Sequence, residues 1–198
     1  MSAIEKPHFT PQEYYQRERL AEHKSEYLNG EIVAMAGSST RHSLINMNLL
    51  GELRRALKGK PCAPYTSDQR LKVKATGLRT YPDASVYCGK LAYDEEERQS
   101  ETAINPIAVF EVLSPSTEAY DRGAKASHYR KIESLRAYVL VSQEQPQVEM
   151  YFIEEGKGWQ FVEVAGLDGV LSIPALGLDL SLAEIYDRVI WEGDEEAA

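Results

Sequence analysis

The run Ile107-Ala-Val-Phe-Glu-Val-Leu113 constrains this chain more than any other segment, because it is apolar at every position except Glu111. A nearly continuous apolar run of this length reads as a central strand covered on both faces, which requires a layer of structure on either side of a sheet. Ser114-Pro115-Ser116-Thr117 breaks the run, the pattern predicts a helix over about 120–133, and "AYVLVS" (137–142) returns as a strand. Strand, helix, strand implies a right-handed parallel crossover.

The flanking segments extend this frame. Thr10-Pro11-Gln12-Glu13 combines a capping box with proline at the first helical position, predicting a helix to about His23. Asn29-Gly30 lies between two alternating runs and predicts a hairpin whose second strand begins at Glu31. Beyond Gly37, Ser39 or Thr40 caps a long helix with Leu44, Met47, Leu50, Leu53 and Leu57 expected on one face and Gly59 at its end. Strands are expected at about 69–74, 81–88 and 107–113, and a hairpin in "VEMYFIEEGKGWQFVEV". A closing helix should be started by the capping box Ser181-Leu-Ala-Glu184. The order predicts a mixed-sheet α/β sandwich. At 198 residues it is sized for a single domain: helix and hairpin over 1–37, a core over 38–143, a hairpin and helix over 144–191 and an acidic tail over 192–198.

Composition narrows the function classes. No apolar run approaches the ~20 residues of a membrane span, and the opening MSAIEKPHFT lacks a signal-like apolar stretch, so a cytoplasmic protein is expected. Cys62 and Cys88 form no CxxC and read as two reduced, buried thiols. The net charge of −9 disfavours a polyanionic partner, yet the acids concentrate in 94–101 and 192–198, leaving basic clusters at 54–60, 70–74 and 122–131 that could serve one.

Two acids stand out. In Arg79-Thr-Tyr-Pro-Asp-Ala-Ser-Val-Tyr-Cys88, Pro82 cannot donate a ladder hydrogen bond, which places Asp83 at a strand end or bulge. Glu111 interrupts the most apolar strand of the chain, where an ionised acid needs a partner or a metal. If the two strands are neighbours, both carboxylates converge on one cation, and hard oxygen donors suit Mg2+ or Mn2+. Taken singly, each acid reads first as a strand-end residue paired to an arginine or a backbone N–H; it is their joint placement that brings the metal reading level with this one.

Pro82-Asp83, then Glu111-Val112-Leu113-Ser114-Pro115-Ser116-Thr117, then Asp121-Arg122-Gly-Ala-Lys125 and Tyr129 resemble, in that order, the Uma-type family of restriction endonucleases in the PD-(D/E)XK nuclease superfamily. "YLNGEIVAMAG", His42, "SLRAYVLVS" and "LSLAEIY" are similar to that family as well. The resemblance implies a restriction-endonuclease-like αβββαβ core and hydrolysis of DNA phosphodiesters by a Mg2+-activated water. It implies Asp83 and Glu111 as metal ligands and Glu31 as an additional acid beside the metal. Where the superfamily expects lysine two residues after the acid, this chain has Leu113. Lys125 is the substitute, on a helix face shared with Asp121 and His128 at i, i+4 and i+7, although an ordinary surface pair of Asp121 and Lys125 would give the same spacing. His42 is left outside the site. Cutting a duplex calls for paired active sites and hence a homodimer. The displaced lysine and the acidic balance also admit a catalytically silent binding module of the same fold or, more remotely, a hydrolase of small phosphoesters.

Overall fold

The computed structural model describes residues 7–35, 37–97, 99 and 101–191, so the acidic tail expected over 192–198 lies outside the described residues. Thr10 and Glu13 close the expected capping box around α1 (Pro11–Glu18). This helix stops short of His23. Leu20 is exposed with no core to enter, and the Glu18 carboxylate instead accepts from Ser25 N and Oγ as the chain reverses. Asn29 and Gly30, both at positive φ (49° and 87°), make the turn between β1 (Ser25–Leu28) and β2 (Glu31–Ala34). Ser39 caps α2 (Thr40–Ala56) by accepting from His42 N. Its buried stripe is Ile45, Leu49, Leu53 and Leu57, spaced i, i+4, whereas Met47 is 67% exposed. The expected face was therefore rotated by part of a turn.

Next come β3 (Cys62–Thr66), β4 (Arg70–Lys72), β5 (Arg79–Thr80), β6 (Ala84–Cys88), β7 (Thr102–Ala103) and β8 (Ala108–Val112). Tyr81-Pro82-Asp83 is a gap between strands of different sheets: β5 belongs to a five-stranded sheet of order β2-β1-β5-β4-β7, and β6 to a six-stranded sheet that ends in β8-β6-β3, with β3 at the edge. Proline sits here because the chain must leave one ladder before it joins the other. The strand expected over 69–74 shrinks to β4 in the smaller sheet, and its place in the large sheet is taken by β3. The alternation of β3 is obscured by Pro64, tolerated because β3 is an edge strand.

After β8, the helical stretch runs as α3 (Glu118–Tyr120), a π-helical turn (Asp121–Lys125) and α4 (Ala126–Tyr129), then β9 (Ala137–Val141) pairs parallel with β8. The hairpin β10 (Gln147–Glu154) and β11 (Gly158–Ala165) forms as expected. A small ribbon of β12 (Val170–Ile173) and β13 (Leu178–Ser181), joined by a 3-10 turn (Pro174–Leu176), precedes the short α5 (Leu182–Ile185). Ser181 makes no side-chain cap there, so the expected capping box is absent.

The order α2, β3, β6, β8, helix, β9 preserves the αβββαβ sequence of elements. Alternation along β8 divides the core in two. Phe110 and Val112 pack toward α2, the ribbon and α5, and Val109 and Leu113 pack toward Tyr129, Leu135 and the smaller sheet's Leu71. Cys62 and Cys88 are directly opposed across β3 and β6 and joined as a disulfide. This corrects the expectation of two reduced thiols, because their separation of 26 residues conceals a cross-strand pairing.

Candidate active site

The seam between the sheets brings the two anomalous acids together. Asp83 sits just before β6 and Glu111 lies in β8, its immediate neighbour, with Ala84 paired to Phe110. Asp83 N donates to Glu111 Oε2 at 3.3 Å, and Asp83 Oδ2 accepts from Val112 N at 2.8 Å. Glu111 shares its face of β8 with Val109 and Leu113 and so points at the helical layer. There Tyr129 Oη donates to Glu111 Oε1 at 2.8 Å, and Lys125 Nζ lies 2.9 Å from the same oxygen.

Lys125 is the hub. Its side chain is 6% exposed, and Nζ also lies 3.3 Å from Asp121 Oδ1 and 3.3 Å from Glu26 Oε1. Glu26 is held in turn by Tyr120 Oη at 3.0 Å and by the Thr80 hydroxyl. Lys125 and Asp121 lie on one side of the π turn, and the fully buried Tyr129 joins them there. The expected grouping of Asp121, Lys125 and His128 assumed regular α-helical spacing; the wider turn adds Tyr129, while half-buried His128 lies within electrostatic reach of Glu26.

The hairpin acid in this cluster is Glu26, not Glu31. Glu31 is exposed beside the turn, opposite Leu28, whereas Glu26 lies two pairs further along, opposite Val33. The Asn-Gly signal located the hairpin without saying which of its acids faced the core.

His42 belongs to the site as well: its Nε2 lies 3.1 Å from Asp83 Oδ2, while Asn46 Nδ2, one helical turn on, donates to the Asp83 carbonyl at 3.3 Å. The sequence signal for both was a pair of polar residues at i, i+4 beside the Ile45–Leu49–Leu53 stripe.

Electrostatics follow from burial. Burial pushes the Glu111 carboxyl up to about 8, against the pull of Lys125, and the neighbouring Asp83 and Asp121 add to the rise. Asp121 is raised for the same first reason. Burial disfavours the Lys125 ammonium, but Glu111, Glu26 and Asp121 more than reverse that and hold it well above its ordinary value. His42 is likewise raised, the penalty of burial being outweighed by its bond to Asp83.

Among the described residues, no three acids, histidines or cysteines are already gathered as a coordination sphere. The donor chemistry nevertheless fits a hard cation: several carboxylates lie around one ammonium, and buried Asp121 Oδ1 meets only the shared Lys125 ammonium, at 3.3 Å.

In the 70–74 basic cluster, Arg70 and Lys72 already have counterions. Arg70 pairs with Glu97 and Glu101, and Lys72 with Asp94 and Glu96, so the acidic loop neutralises them. Arg54, Lys58, Arg130 and Lys131 are exposed.

The family Uma2, described as "Putative restriction endonuclease", matches residues 11–183. The chain belongs to the Uma2 family. Two proteins of Synechocystis, slr1290 and sll1609, both titled "Uncharacterized protein", resemble this Uma2 chain closely. The first is 36% identical over 91% of this chain and 92% of its own length, the second 32% identical over 79% and 88%. A crystal structure from Anabaena variabilis, titled as a "putative nuclease belonging to DUF820", superposes with a TM-score of 0.74 at 19% identity, covering 92% of this chain and 99% of that one. The Uma2 chain thus has a restriction-endonuclease-like α+β fold.

Proposed function

We propose that this Uma2 protein is a divalent-metal-dependent endonuclease that hydrolyses phosphodiester bonds of duplex DNA. One observation carries the reading. Four carboxylates, those of Glu26, Asp83, Glu111 and Asp121, share a largely buried site with one lysine and one histidine. Acid in excess in such a place destabilises the fold unless a further cation joins it.

Asp83 and Glu111 would hold Mg2+ or Mn2+, with Asp121 an additional oxygen donor. When bound, such an ion supplies an activated water and neutralises charge on the phosphate. The chain's own residues do the rest. His42 and Val112 N–H fix the rotamer of Asp83, and Tyr129 fixes that of Glu111. Lys125 places a permanent positive charge beside Glu111, where negative charge growing on a phosphate is steadied. It thereby takes over the task of the lysine that Leu113 replaces. Leu113 itself is buried among Tyr129, Ile132 and Leu140 and could not present a charge there without emptying that packing. Exposed Arg54, Lys58, Arg130 and Lys131 supply backbone phosphate contacts, and two copies of the chain would cut both strands of a duplex.

Plasmid nicking in Mg2+ or Mn2+ tests the reading: wild type should cleave, and Asp83→Asn should cleave at least ~100-fold more slowly. Plasmid left intact by wild type at every metal concentration would overturn it. His42→Ala should weaken calorimetrically measured Mn2+ affinity by about 10–100-fold, the usual cost of losing a group that orients a ligand. Unchanged affinity would confine His42 to holding α2 against the sheet.

A further inference from the structure

The other face of the smaller sheet carries a second charged site. Side chains alternate along its strands: Glu26 and Thr80 face the candidate active site, and their neighbours Tyr27 and Arg79 face a cavity of about 230 Å³ on the opposite side, lined also by Lys72, Lys74, Gly77 and Glu96. A water molecule's share of liquid volume is about 30 Å³, so there is room for a polyatomic ion.

The cations in this cavity are fixed. Arg79 Nε donates to Tyr15 Oη and Nη1 to the Gly77 carbonyl, both at 2.8 Å, while Lys72 Nζ donates to Asp94 Oδ1 at 2.8 Å. They share two counterions, of which Asp94 is buried with them and Glu96 is not fixed in the same way. Glu96 Oε2 lies 2.5 Å from Arg79 Nη2 and 3.0 Å from Lys72 Nζ, yet the Glu96 side chain is 49% exposed, against 2% and 8% for the two cations. Lys74 stands at the rim, exposed and without an ion-pair partner among the described residues. Without the Glu96 carboxylate, Asp94 alone would face Lys72 and Arg79, leaving buried positive charge in excess. A half-exposed carboxylate on a surface loop is easily exchanged, whereas two buried cations cannot go without an anion.

We propose that this cavity is a phosphate-binding site, separate from the candidate active site, in which Glu96 is a resident anion that a phosphate oxyanion displaces. The Arg79 guanidinium fork and the Lys72 ammonium then receive oxygens in place of the carboxylate, and Lys74 closes over the outer side. Glu96 thus acts as a built-in competitor that weakens the seat.

Inorganic phosphate titrated calorimetrically into the full chain tests this. Glu96→Gln, an exposed and nearly isosteric change, should bind phosphate about tenfold more tightly than wild type because the competing charge is gone. Adding Lys74→Glu should abolish the gain. No phosphate binding to Glu96→Gln, or equal affinity in wild type and variant, overturns the site. A short DNA duplex titrated in parallel separates the sources of the phosphate. A matching gain in duplex affinity supports a seat for a backbone phosphodiester, and a gain for inorganic phosphate alone supports a seat for a free phosphate group.

Discussion

Lys125→Met is expected to destabilise the metal-free protein by about 3–5 kcal/mol at pH 8 and to slow cleavage at least ~100-fold. The side chain is nearly sealed from water and sits within 3.3 Å of three carboxylates, those of Glu111, Asp121 and Glu26. Removing the ammonium leaves those acids facing one another without their common cation. They can escape only by taking up protons, so the cost should shrink as pH falls toward 6. Urea unfolding at the two pH values measures it. Adding Glu111→Gln should recover part of the lost stability, since one of the stranded charges disappears. If the single and double variants are equally destabilised at both pH values, the loss is one of packing rather than charge. Lys125→Arg should recover stability better than activity, because the planar guanidinium keeps the charge and changes its geometry.

The second large effect belongs to Glu111. Its carboxyl is raised by burial to about 8 in the folded chain, from an ordinary value of 4.5. Between those values the unfolded chain has released this proton and the folded chain still holds it. The stabilisation is therefore complete below pH 4.5, is lost as pH rises toward 8 and stays lost above it, with a slope of up to about 1.4 kcal/mol per pH unit. The raised His42 acts in the same direction, so wild type must be compared with Glu111→Gln rather than read alone. The variant should be the more stable form at pH 8 without metal, and the difference should narrow toward pH 5. Mn2+ binding at pH 7 should release close to one proton in wild type, seen as a buffer-dependent calorimetric heat, and should be nearly absent in the variant. A wild-type-minus-variant difference that is flat from pH 5 to pH 8 would show that Glu111 is ionised throughout and fully compensated by Lys125.

The sequence made the local parts of this molecule legible. The 107–113 run could only be a central strand, and Asn29-Gly30 could only be a tight turn between alternating segments. Pro82 marked a true discontinuity in pairing. What sequence pattern could not convey was which sheet each side of that discontinuity joins, because the partners of β5 and β6 lie far away along the chain. The same limit hid the opposition of Cys62 to Cys88 and the neutralisation of Arg70 and Lys72 by the acidic loop, both matters of long-range register. The wrong face of α2 has a different origin. Leu44, Met47 and Leu50 recur at i, i+3, i+6, while the buried Ile45, Leu49 and Leu53 recur at i, i+4, i+8, and both stripes are apolar enough to compete. At the candidate site, Asp83, Glu111 and Lys125 were found from residue type and resemblance together. Glu26 was not noticed, and His42 and Tyr129, though part of the resemblance, were given no role in the site, because each becomes informative only once a neighbouring element has been docked against it.

The π turn at 121–125 has a consequence for how such a site changes over evolutionary time. A π turn holds one residue more than a regular helical turn, and each residue of an α-helix advances the face by about 100°. Deleting Gly123, whose surroundings are open, would let 118–129 wind as an ordinary helix. Asp121 and Lys125 would then sit three apart rather than four, with Tyr129 fixed by its contact to Glu111 or displaced with them. The arrangement of acid, lysine and tyrosine is thus written partly in the number of residues between them. A survey by substitution alone would pass over this, and a one-residue length change in this loop-to-helix segment is the kind of event by which a nuclease lineage could relocate its lysine or lose it.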